Sequence, residues 1–344
     1  MNWRKPTYCA VGITVIILGM LFLTSFTKTP TTTTHQCALD APAWGFFGHK
    51  RINELAVYTL PPEMFGFYKA NMEYIIDHSV DPDKRRYGVV GEAECHFIDM
   101  DRYITPEYPN PFDNVPRRWT DAVAKFSEDT LRANGIVPWH VYNMLQRLTN
   151  AFKGQDKQRI LRLSTELGHY IGDAHVPLHT TSNYNGQLTG QRGIHGFWES
   201  RLVELYSQDY DFFVGRAQYI NSPLNYIWDR VEESFACVDS VLNFEKKLTQ
   251  TFGEEKKYSF ESRGQANMRV YAEEYSKAYS DMLDGQVERR MKSAVYSIGC
   301  FWYTAWVDAG QPDLNKLFGI PYMQETPSDS IPIPSIPLKV REHE

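Results

Sequence analysis

Apolar residues recur at intervals of three and four along most of the chain between residues 48 and 323. The clearest case is residues 156–171, where a single apolar stripe consists of Ile160, Leu161, Leu163, Leu167 and Ile171. Similar stripes predict helices in residues 119–133, 197–206, 224–252 and 294–307. Convincing alternation of apolar and polar residues, which would indicate strands, is absent. The pattern therefore predicts an all-α protein with a single, mainly helical domain.

Changes in composition set the limits of this domain. Residues 324–344 are rich in proline and poor in bulky apolar residues, so we expect a disordered tail there. Breakers such as Leu60-Pro-Pro62 and Gly310-Gln-Pro312 fall where connections between helices are needed. No repeat with a solenoid period is visible. We expect the folded domain to span residues 44–323.

The first 43 residues are typical of an export segment. Arg4 and Lys5 precede an uncharged, largely apolar run over residues 6–27, and the small residues Ala41-Pro-Ala43 offer a cleavage site before Trp44. The run is longer than a signal core of about 7–15 residues and approaches the ~20 that span a bilayer. An uncleaved membrane tether is thus the alternative. Either way, we expect an exported protein that is secreted, periplasmic or anchored at the outer side of a membrane.

The net charge argues against one class of nucleic-acid binder, and the cysteines indicate no disulfide framework. The net charge is −6 without any basic stripe, which argues against a nucleic-acid binder that relies on many lysines and arginines. Downstream of residue 43 only Cys95, Cys237 and Cys300 remain, at most one bridge could join two of them, and each is interpreted as a core thiol.

Histidines and acids at helical spacing point to a metal centre. His169 and Asp173 are four residues apart, as are His195 and Glu199, so each pair shares one face of a helix. Pro177 ends the first of these helices and lets His179 turn back toward the same place. One such pair is weak evidence, but two pairs with His179, and with His49, Asp81 and His96 upstream, form a set that zinc accepts.

The same residues carry a resemblance to a known superfamily. The chain resembles the superfamily that unites the single-strand-specific S1/P1 zinc nucleases of fungi and plants with the bacterial zinc-dependent phospholipases C. The matching pieces occur in family order and are Trp44-Gly-Phe-Phe-Gly-His49, Asp81 with His96, Gly168-His169 through Asp173 to His179, and His195 through Glu199. The resemblance implies the helical fold of that superfamily, a cofactor of three zinc ions and phosphodiester hydrolysis.

Carried over residue by residue, the resemblance implies three ligand sets. They are Asp81, His96, His169 and Asp173 for one zinc, His179, His195 and Glu199 for a second, and Trp44, His49 and Asp173 for the third. In the third set, Trp44 would act through its free amine and carbonyl. An amide nitrogen in mid-chain binds metal poorly because its lone pair is delocalised. Cleavage before Trp44 would therefore couple export to activation.

The resemblance also suggests catalytic roles near Asp81. Zinc lowers the pKa of bound water to about 7, and Asp81 is expected to orient or deprotonate that water. Asp77 and Asp83 compete with Asp81 as the ligand, and the spacing to His96 favours Asp81. The nucleases often carry arginine three residues after this acid, whereas this chain has Lys84, which could offer its charge to the transition state or simply be solvated. The neighbouring Arg85 and Arg86 are interpreted as solvated, with a phosphate clamp as the alternative.

The substrate is less clearly indicated than the reaction. Glu199 is as in the phospholipases, but Phe47 replaces an acid that the choline-selective lipases place near their first residue. Phe97 and Asp99 follow His96 as in the nucleases, where the ring stacks on a base and the acid binds its edge. We therefore expect a nuclease that cleaves single-stranded DNA or RNA and leaves 5′-phosphates, with phospholipase C activity on phospholipid head groups as the alternative.

Two functions of other classes stay open on sequence grounds. In a non-catalytic zinc protein, the metal would only hold the helices together below a binding surface. Structural zinc sites are usually closed by four protein ligands, whereas the set of His179, His195 and Glu199 leaves one position open and favours catalysis. A phospholipid binder that inserts Phe46 and Phe47 into a membrane is the other alternative. No protein partner is expected.

Overall fold

The computed structural model describes residues 45–263 and 266–320. The predicted export segment, Trp44 and the proline-rich tail lie outside the described residues. Within the described part of the chain, none of the helices combines the length and the apolar character that a bilayer span needs.

The described part is mainly helical, which confirms the predicted fold class. In chain order, the α-helices are α1 (Gly45–Val57), α2 (Pro62–Ala70), α3 (Met72–His78), α4 (Asp81–Arg85), α5 (Pro111–Asn114), α6 (Trp119–Phe126), α7 (Glu128–Ala133), α8 (Val137–Lys153), α9 (Lys157–Ala174), α10 (Ile194–Gly196), α11 (Leu202–Tyr206), α12 (Pro223–Phe235), α13 (Val238–Phe252), α14 (Glu273–Leu283) and α15 (Gln286–Asp308). Short 3-10 helices include Ala93–His96, Met100–Tyr103 and Pro177–Thr180, and a π-helical turn at Phe197–Arg201 joins α10 to α11.

Helix α9 lies at the centre of the fold. It packs against α8, α15, α1 and α3, and nearly every residue from Ile160 to Ala174 is buried. A helix that is buried on all sides carries its polar residues into the interior, where they require partners. The buried polar side chains of α9 include both His169 and Asp173, so the fold itself sets these two residues deep inside the protein.

Two glycines allow α1 to approach α9 closely. A Cβ atom at Gly168 would lie 1.9 Å from Oδ1 of Asn53, and one at Gly172 would lie 2.7 Å from Cδ1 of Ile52. A Cβ atom essentially never comes this close to a non-bonded atom, so a larger residue at either position would push against α1. The close packing brings His49 of α1 against the polar side of α9.

The structure departs from the predicted elements in three places. Ser127 adopts a φ of 68° and divides the predicted helix 119–133 into α6 and α7. The predicted helix 224–252 is likewise interrupted between Phe235 and Val238. A hairpin of β1 (Tyr258–Arg263) and β2 (Ala266–Tyr271) forms where no strand was predicted. The two strands are antiparallel, and Tyr258 pairs with Tyr271 at the open end.

Two of the three cysteines are core thiols as predicted, whereas Cys237 is only partly buried. Cys95, Cys237 and Cys300 form no disulfide in the described residues, and two of them, Cys95 and Cys300, are buried. Burial raises the pKa of the Cys300 thiol, which keeps it protonated and unreactive at neutral pH.

Candidate metal centre

Three groups of buried histidines and acids meet in the interior. Within each group, one donor atom from every member lies within 4.8 Å of the others. The groups are His49 with His169 and Asp173, Asp83 with His96 and His169, and His179 with His195 and Glu199. His169 belongs to the first two groups, and Oδ1 of Asp173 lies 3.7 Å from Nδ1 of His179 in the third, so the three groups form one continuous cluster. Its members come from α1, α4, α9, two 3-10 helices and the helical segment 194–206.

Asp173 lies at the middle of the cluster and faces histidines with both oxygens. Its Oδ1 lies 3.4 Å from Nε2 of His49 and 3.7 Å from Nδ1 of His179. Its Oδ2 lies 2.9 Å from Nδ1 of His96 and 3.3 Å from Nε2 of His169. A single buried carboxylate therefore connects four histidines.

The group that contains Asp83 lies on one side of Asp173. Oδ1 of Asp83 is 3.7 Å from Nδ1 of His96 and 3.6 Å from Nε2 of His169. The two imidazole nitrogens are 3.1 Å apart. Oδ2 of Asp83 is buried and has no hydrogen-bond partner among the described residues, which is costly for a carboxylate unless a cation or water satisfies it.

Two members of the third group, His195 and Glu199, lie in the helical segment 194–206. Nε2 of His195 lies 3.0 Å from Oε1 of Glu199, and Nε2 of His179 lies 3.5 Å from Oε2 of the same residue. Glu199 falls within the π-helical turn Phe197–Arg201. Such turns are rare and occur mainly at functional sites, because the wider turn changes the direction of side chains.

The spacing of these atoms fits zinc. A tetrahedral zinc ion binds nitrogen and oxygen at about 2.0–2.2 Å, which places its ligand atoms roughly 3.3–3.6 Å apart. The donor separations at Asp83, Asp173 and Glu199 mostly fall between 3.3 and 3.7 Å. The donor set of imidazole and carboxylate, without any thiolate, also suits zinc. The residues thus fit the metal that the sequence predicts.

Backbone carbonyls fix the orientation of three imidazoles. Nδ1 of His169 donates to the carbonyl of Ser79 at 2.9 Å, and Nδ1 of His179 donates to that of His96 at 2.6 Å. Nδ1 of His195 lies 3.0 Å from the carbonyl of Tyr184. These bonds select the tautomer in which Nε2 carries a lone pair toward the cluster, as in most histidine ligands of metals.

The carboxylate of Glu92 lies on the side of the His96 ring that faces away from Asp173. Nε2 of His96 lies 3.5 Å from Oε1 of Glu92. The other oxygen of Glu92 accepts a bond of 2.8 Å from Arg85, which also binds Glu166 at 2.8 Å and the hydroxyl of Tyr170 at 3.0 Å. Arg85 is therefore a structural residue of this network, and the prediction that it is solvated is wrong.

The electrostatics of the cluster favour a bound cation. Burial alone would lower the pKa of His169, but the carboxylates of Asp173 and Asp83 raise it to about 10. Burial alone would raise the pKa of Glu199, but His195 and His179 lower it to about 2. The histidines also hold the pKa of Asp173 well below its usual range, against the effect of burial. The buried Asp173 and Glu199 therefore stay charged, and a metal ion can replace the proton on His169.

The structure corrects the assignment of the first acid. Asp83, not Asp81, lies beside His96 and His169. The oxygens of Asp81 bind Nδ1 of His78 at 2.6 Å and Nζ of Lys84 at 2.8 Å, and its side chain is 33% exposed. Two residues along a helix differ by roughly 200° in direction, so only one of these two acids can face the cluster. Lys84 is paired with Asp81 and 52% exposed, which agrees with its interpretation as a solvated lysine.

Arg86 is buried beside the cluster. The sequence predicts a solvated arginine here, but Arg86 is only 3% exposed, and its Nη1 lies 3.8 Å from Oδ1 of Asp83. Its Nε and Nη2 have no hydrogen-bond partner among the described residues. Once Asp83 replaces Asp81, Arg86 occupies the place three residues after the acid, where the nucleases often carry arginine. The sequence therefore contains the nuclease pattern of an acid followed three residues later by an arginine, but at Asp83 and Arg86 and not at Asp81 and Lys84.

The predicted substrate residues lie next to the cluster but are buried. Phe97 is 6% exposed and Asp99 is 7% exposed. The segment is held by backbone bonds from Ile98 to the carbonyl of His179 at 2.9 Å and from Asp99 to that of Asn134 at 2.7 Å. Their roles with a nucleobase stay predictions. Trp44, the predicted N-terminal ligand, lies outside the described residues.

Comparison with known proteins agrees with this geometry. The sequence model of the S1/P1 nuclease family matches residues 44–297, which is well over half of the chain. No curated protein matches the chain significantly. The matched range begins at Trp44 and contains every member of the three groups. Membership implies a hydrolase that acts on phosphodiester bonds. The chain belongs to the S1/P1 nuclease family.

Proposed function

We propose that the protein is an exported, zinc-dependent nuclease that cleaves single-stranded DNA or RNA and leaves 5′-phosphates. The observation that carries this proposal is the continuous cluster around Asp173, whose three groups have the donors and the spacing that zinc requires. The family match supports phosphodiester hydrolysis.

The proposed ligands follow from the three groups. Asp83, His96, His169 and Asp173 would hold one ion, and His179, His195 and Glu199 a second. His49, the second oxygen of Asp173 and the free amine of Trp44 would complete a third. When bound, zinc supplies activation of water and neutralises charge on the phosphoryl group. Oδ2 of Asp83 is buried and has no hydrogen-bond partner among the residues that the structure describes, which suits the water-orienting role that the sequence predicts for Asp81.

Arg86 is our candidate for binding the scissile phosphate. Its guanidinium adjoins Asp83, and two of its buried nitrogens have no hydrogen-bond partner within the described part of the chain. Guanidinium groups bind phosphate oxygens through two parallel hydrogen bonds, and such bonds are stronger in a buried site than in water. We infer that Arg86 binds non-bridging oxygens as negative charge develops on them, which would explain how an acidic protein attracts nucleic acid without a basic surface.

The arginine also favours nuclease over phospholipase activity. With Asp83 as the ligand, the chain follows the nuclease pattern at the third residue after the acid, and the departure at Lys84 disappears. The family whose sequence model matches is that of the nucleases. Glu199 remains the one feature that resembles the phospholipases.

The test is a comparison of substrates on one protein. Zinc-loaded protein that begins at Trp44 is incubated with single-stranded DNA, RNA and phosphatidylcholine, and the ends of the products are identified. We expect nucleic-acid cleavage with 5′-phosphate ends, loss of activity with a chelator, and recovery with zinc. Hydrolysis of the lipid without cleavage of nucleic acid would refute the proposal.

A matched pair of histidine variants tests whether the buried cluster is the catalytic centre. His195→Gln should abolish cleavage because Nε2 of His195 faces Glu199. His78→Gln should retain it, because His78 binds Asp81 outside the three groups. Wild-type activity in the His195→Gln variant would show that the cluster is not the catalytic centre.

A further inference from the structure

A cavity outside the metal centre has the chemistry of a nucleotide site. Its volume is about 760 Å³, within the range of about 300–1,000 Å³ that is typical of small-molecule sites. It lies between the segment that precedes His96 and helices α6, α7 and α8. The lining residues that matter for binding are Arg118, Trp119, Arg132, Trp139, His140 and Asn143.

Aromatic rings form one side of this cavity. Trp119 is partly exposed, and its ring packs edge-to-face on Trp139 with centroids 5.3 Å apart. Trp139 is almost fully buried and donates from Nε1 to the carbonyl of Arg117 at 2.8 Å. Trp119 therefore packs on a neighbour that is itself anchored, and packing of this kind lowers the entropic cost of stacking a ligand on its indole.

The charged side chains that line the cavity are both arginines. Arg118 is 79% exposed, and its nearest acid, Asp121, lies 3.9 Å away. Arg132 is held more firmly, by Glu128 at 2.8 Å and Glu94 at 3.3 Å. Arg118 is therefore the better phosphate ligand. By contrast, a cavity of about 580 Å³ beside α14 is lined by three acids and one lysine and would repel an anion.

Polar groups for a base edge are also present. Nε2 of His140 is buried and has no hydrogen-bond partner among the described residues. Burial lowers the pKa of His140 to about 4, so the ring is neutral at pH 7 and can both donate and accept. The amide of the exposed Asn143 lies on the same wall. Amide and imidazole groups of this kind pair with the edges of nucleobases.

The cavity is separated from the metal centre by one aromatic side chain. The rings of His140 and Tyr170 have centroids 4.4 Å apart, and those of Tyr170 and His96 are 5.2 Å apart. No member of the three metal-binding groups lines the cavity. It is thus a separate site that adjoins the proposed catalytic centre.

We propose that this cavity binds one nucleotide, with its base stacked on Trp119 and its phosphate held by Arg118. The proposal rests on the proposed nuclease function for its biological meaning. The nucleotide has two possible sources, which are a unit of the substrate strand away from the cleaved bond and a free mononucleotide. In both cases the chemistry of recognition is the same.

Two variants on the zinc-loaded enzyme test the site by kinetics. Arg118→Ala and Trp119→Leu are compared with Arg216→Ala, which changes another exposed arginine that does not line the cavity. If the cavity holds part of the strand, Trp119→Leu should raise KM for a long single-stranded oligonucleotide roughly tenfold. Its kcat, and KM for a dinucleotide too short to reach both sites, should not change.

Calorimetric titration with adenosine 5′-monophosphate tests the second source. If the cavity holds a free mononucleotide, wild type should bind one more nucleotide per chain than either variant, and KM for the long strand should not change. This titration needs no catalysis, so it remains decisive if the proposed nuclease activity fails. The proposal is overturned if neither KM nor nucleotide stoichiometry changes. An equal rise in KM for long and short substrates would also overturn it, since the variants would then be disturbing the metal centre.

Discussion

Gly172 faces the imidazole of His49 across the interface of α1 and α9. A Cβ atom at Gly172 would lie 3.2 Å from both Nδ1 and Cε1 of the imidazole. The absence of a side chain at this position lets His49 reach Asp173, whose Oδ1 is 3.4 Å away. A backbone glycine therefore determines the position of a proposed metal ligand on another helix.

Gly172→Ala should weaken both the fold and the metal site. The added methyl group would push against Ile52 and His49, and overpacking of this kind costs about 1–3 kcal/mol of unfolding free energy. We expect a lower melting temperature and less zinc per chain, as measured by calorimetry and elemental analysis. The matched control is Gly66→Ala in α2, where the nearest contact would be an ordinary 3.5 Å. That change should stabilise the protein slightly, and equal losses in the two variants would contradict the explanation.

Asp83→Asn and Asp81→Asn distinguish the acid that lies in the cluster from the acid that the sequence predicts as the ligand. Asp83 faces His96 and His169, so loss of its charge should remove zinc and reduce kcat by more than a hundredfold. Asp81 binds His78 and Lys84 near the surface, and its variant should keep the metal content and activity of wild type. The reverse ranking in zinc content would restore the sequence-based assignment.

Arg86→Ala should reduce kcat with little effect on zinc content. Its guanidinium adjoins Asp83 without belonging to any of the three metal-binding groups, and a donor that acts on developing charge contributes about 10²–10³ in rate. Arg86→Lys should recover only part of the rate, because an ammonium group cannot bind two oxygens in parallel. Lys84→Ala is the control and should be nearly silent. A fully active Arg86→Ala protein would exclude the phosphate-binding role.

Zinc content should depend on the first residue of the chain. Protein that begins at Trp44 should bind three ions per chain, whereas protein with one additional residue before Trp44 should bind two and lose most of its activity, because its amide nitrogen is a poor ligand. Mass spectrometry of the terminus and elemental analysis of the same sample provide the measurement. Three ions in the extended protein would contradict this prediction.

A buried ion pair near the third metal group should contribute to acid sensitivity. Burial alone would raise the pKa of Glu245, but hydrogen bonds from Lys257, at 2.7 Å, and from Gln191 lower it below the usual glutamate value. A depressed folded pKa stabilises the protein above about pH 4.3, and this stability is lost as the pH falls through the folded value. The difference in unfolding free energy between wild type and Glu245→Gln should therefore narrow between pH 7 and pH 3. A difference independent of pH would show that Glu245 does not titrate in this way.

The spacing of residues along the sequence was enough to predict which side chains of the site lie together within one helical segment. His169 with Asp173 and His195 with Glu199 share helical turns, so a separation of four residues was sufficient to predict that each pair acts together. The turn after α9 that returns His179 follows from the proline two residues before it. These features depend on the backbone within one segment, which the sequence largely determines.

Contacts between distant segments could not be read in the same way. The spacing to His96 favours Asp81 over Asp83, but which of the two acids faces the cluster depends on the direction of α4 relative to α9, which tertiary packing sets. The burial of Arg86 has the same origin. The hairpin of β1 and β2 was missed because its alternation, with Tyr258 and Phe260 on one strand and Met268 and Val270 on the other, extends over only a few residues.

The position of Asp173 has a consequence for how the centre fills with metal. Since one oxygen faces His49 and the other faces His169, an ion bound on either side polarises the same carboxylate and fixes its rotamer for its neighbour. The ions therefore should not enter independently. Zinc uptake should be sigmoidal, partly loaded molecules should be scarce, and a preparation short of zinc should be a mixture of complete and empty enzymes.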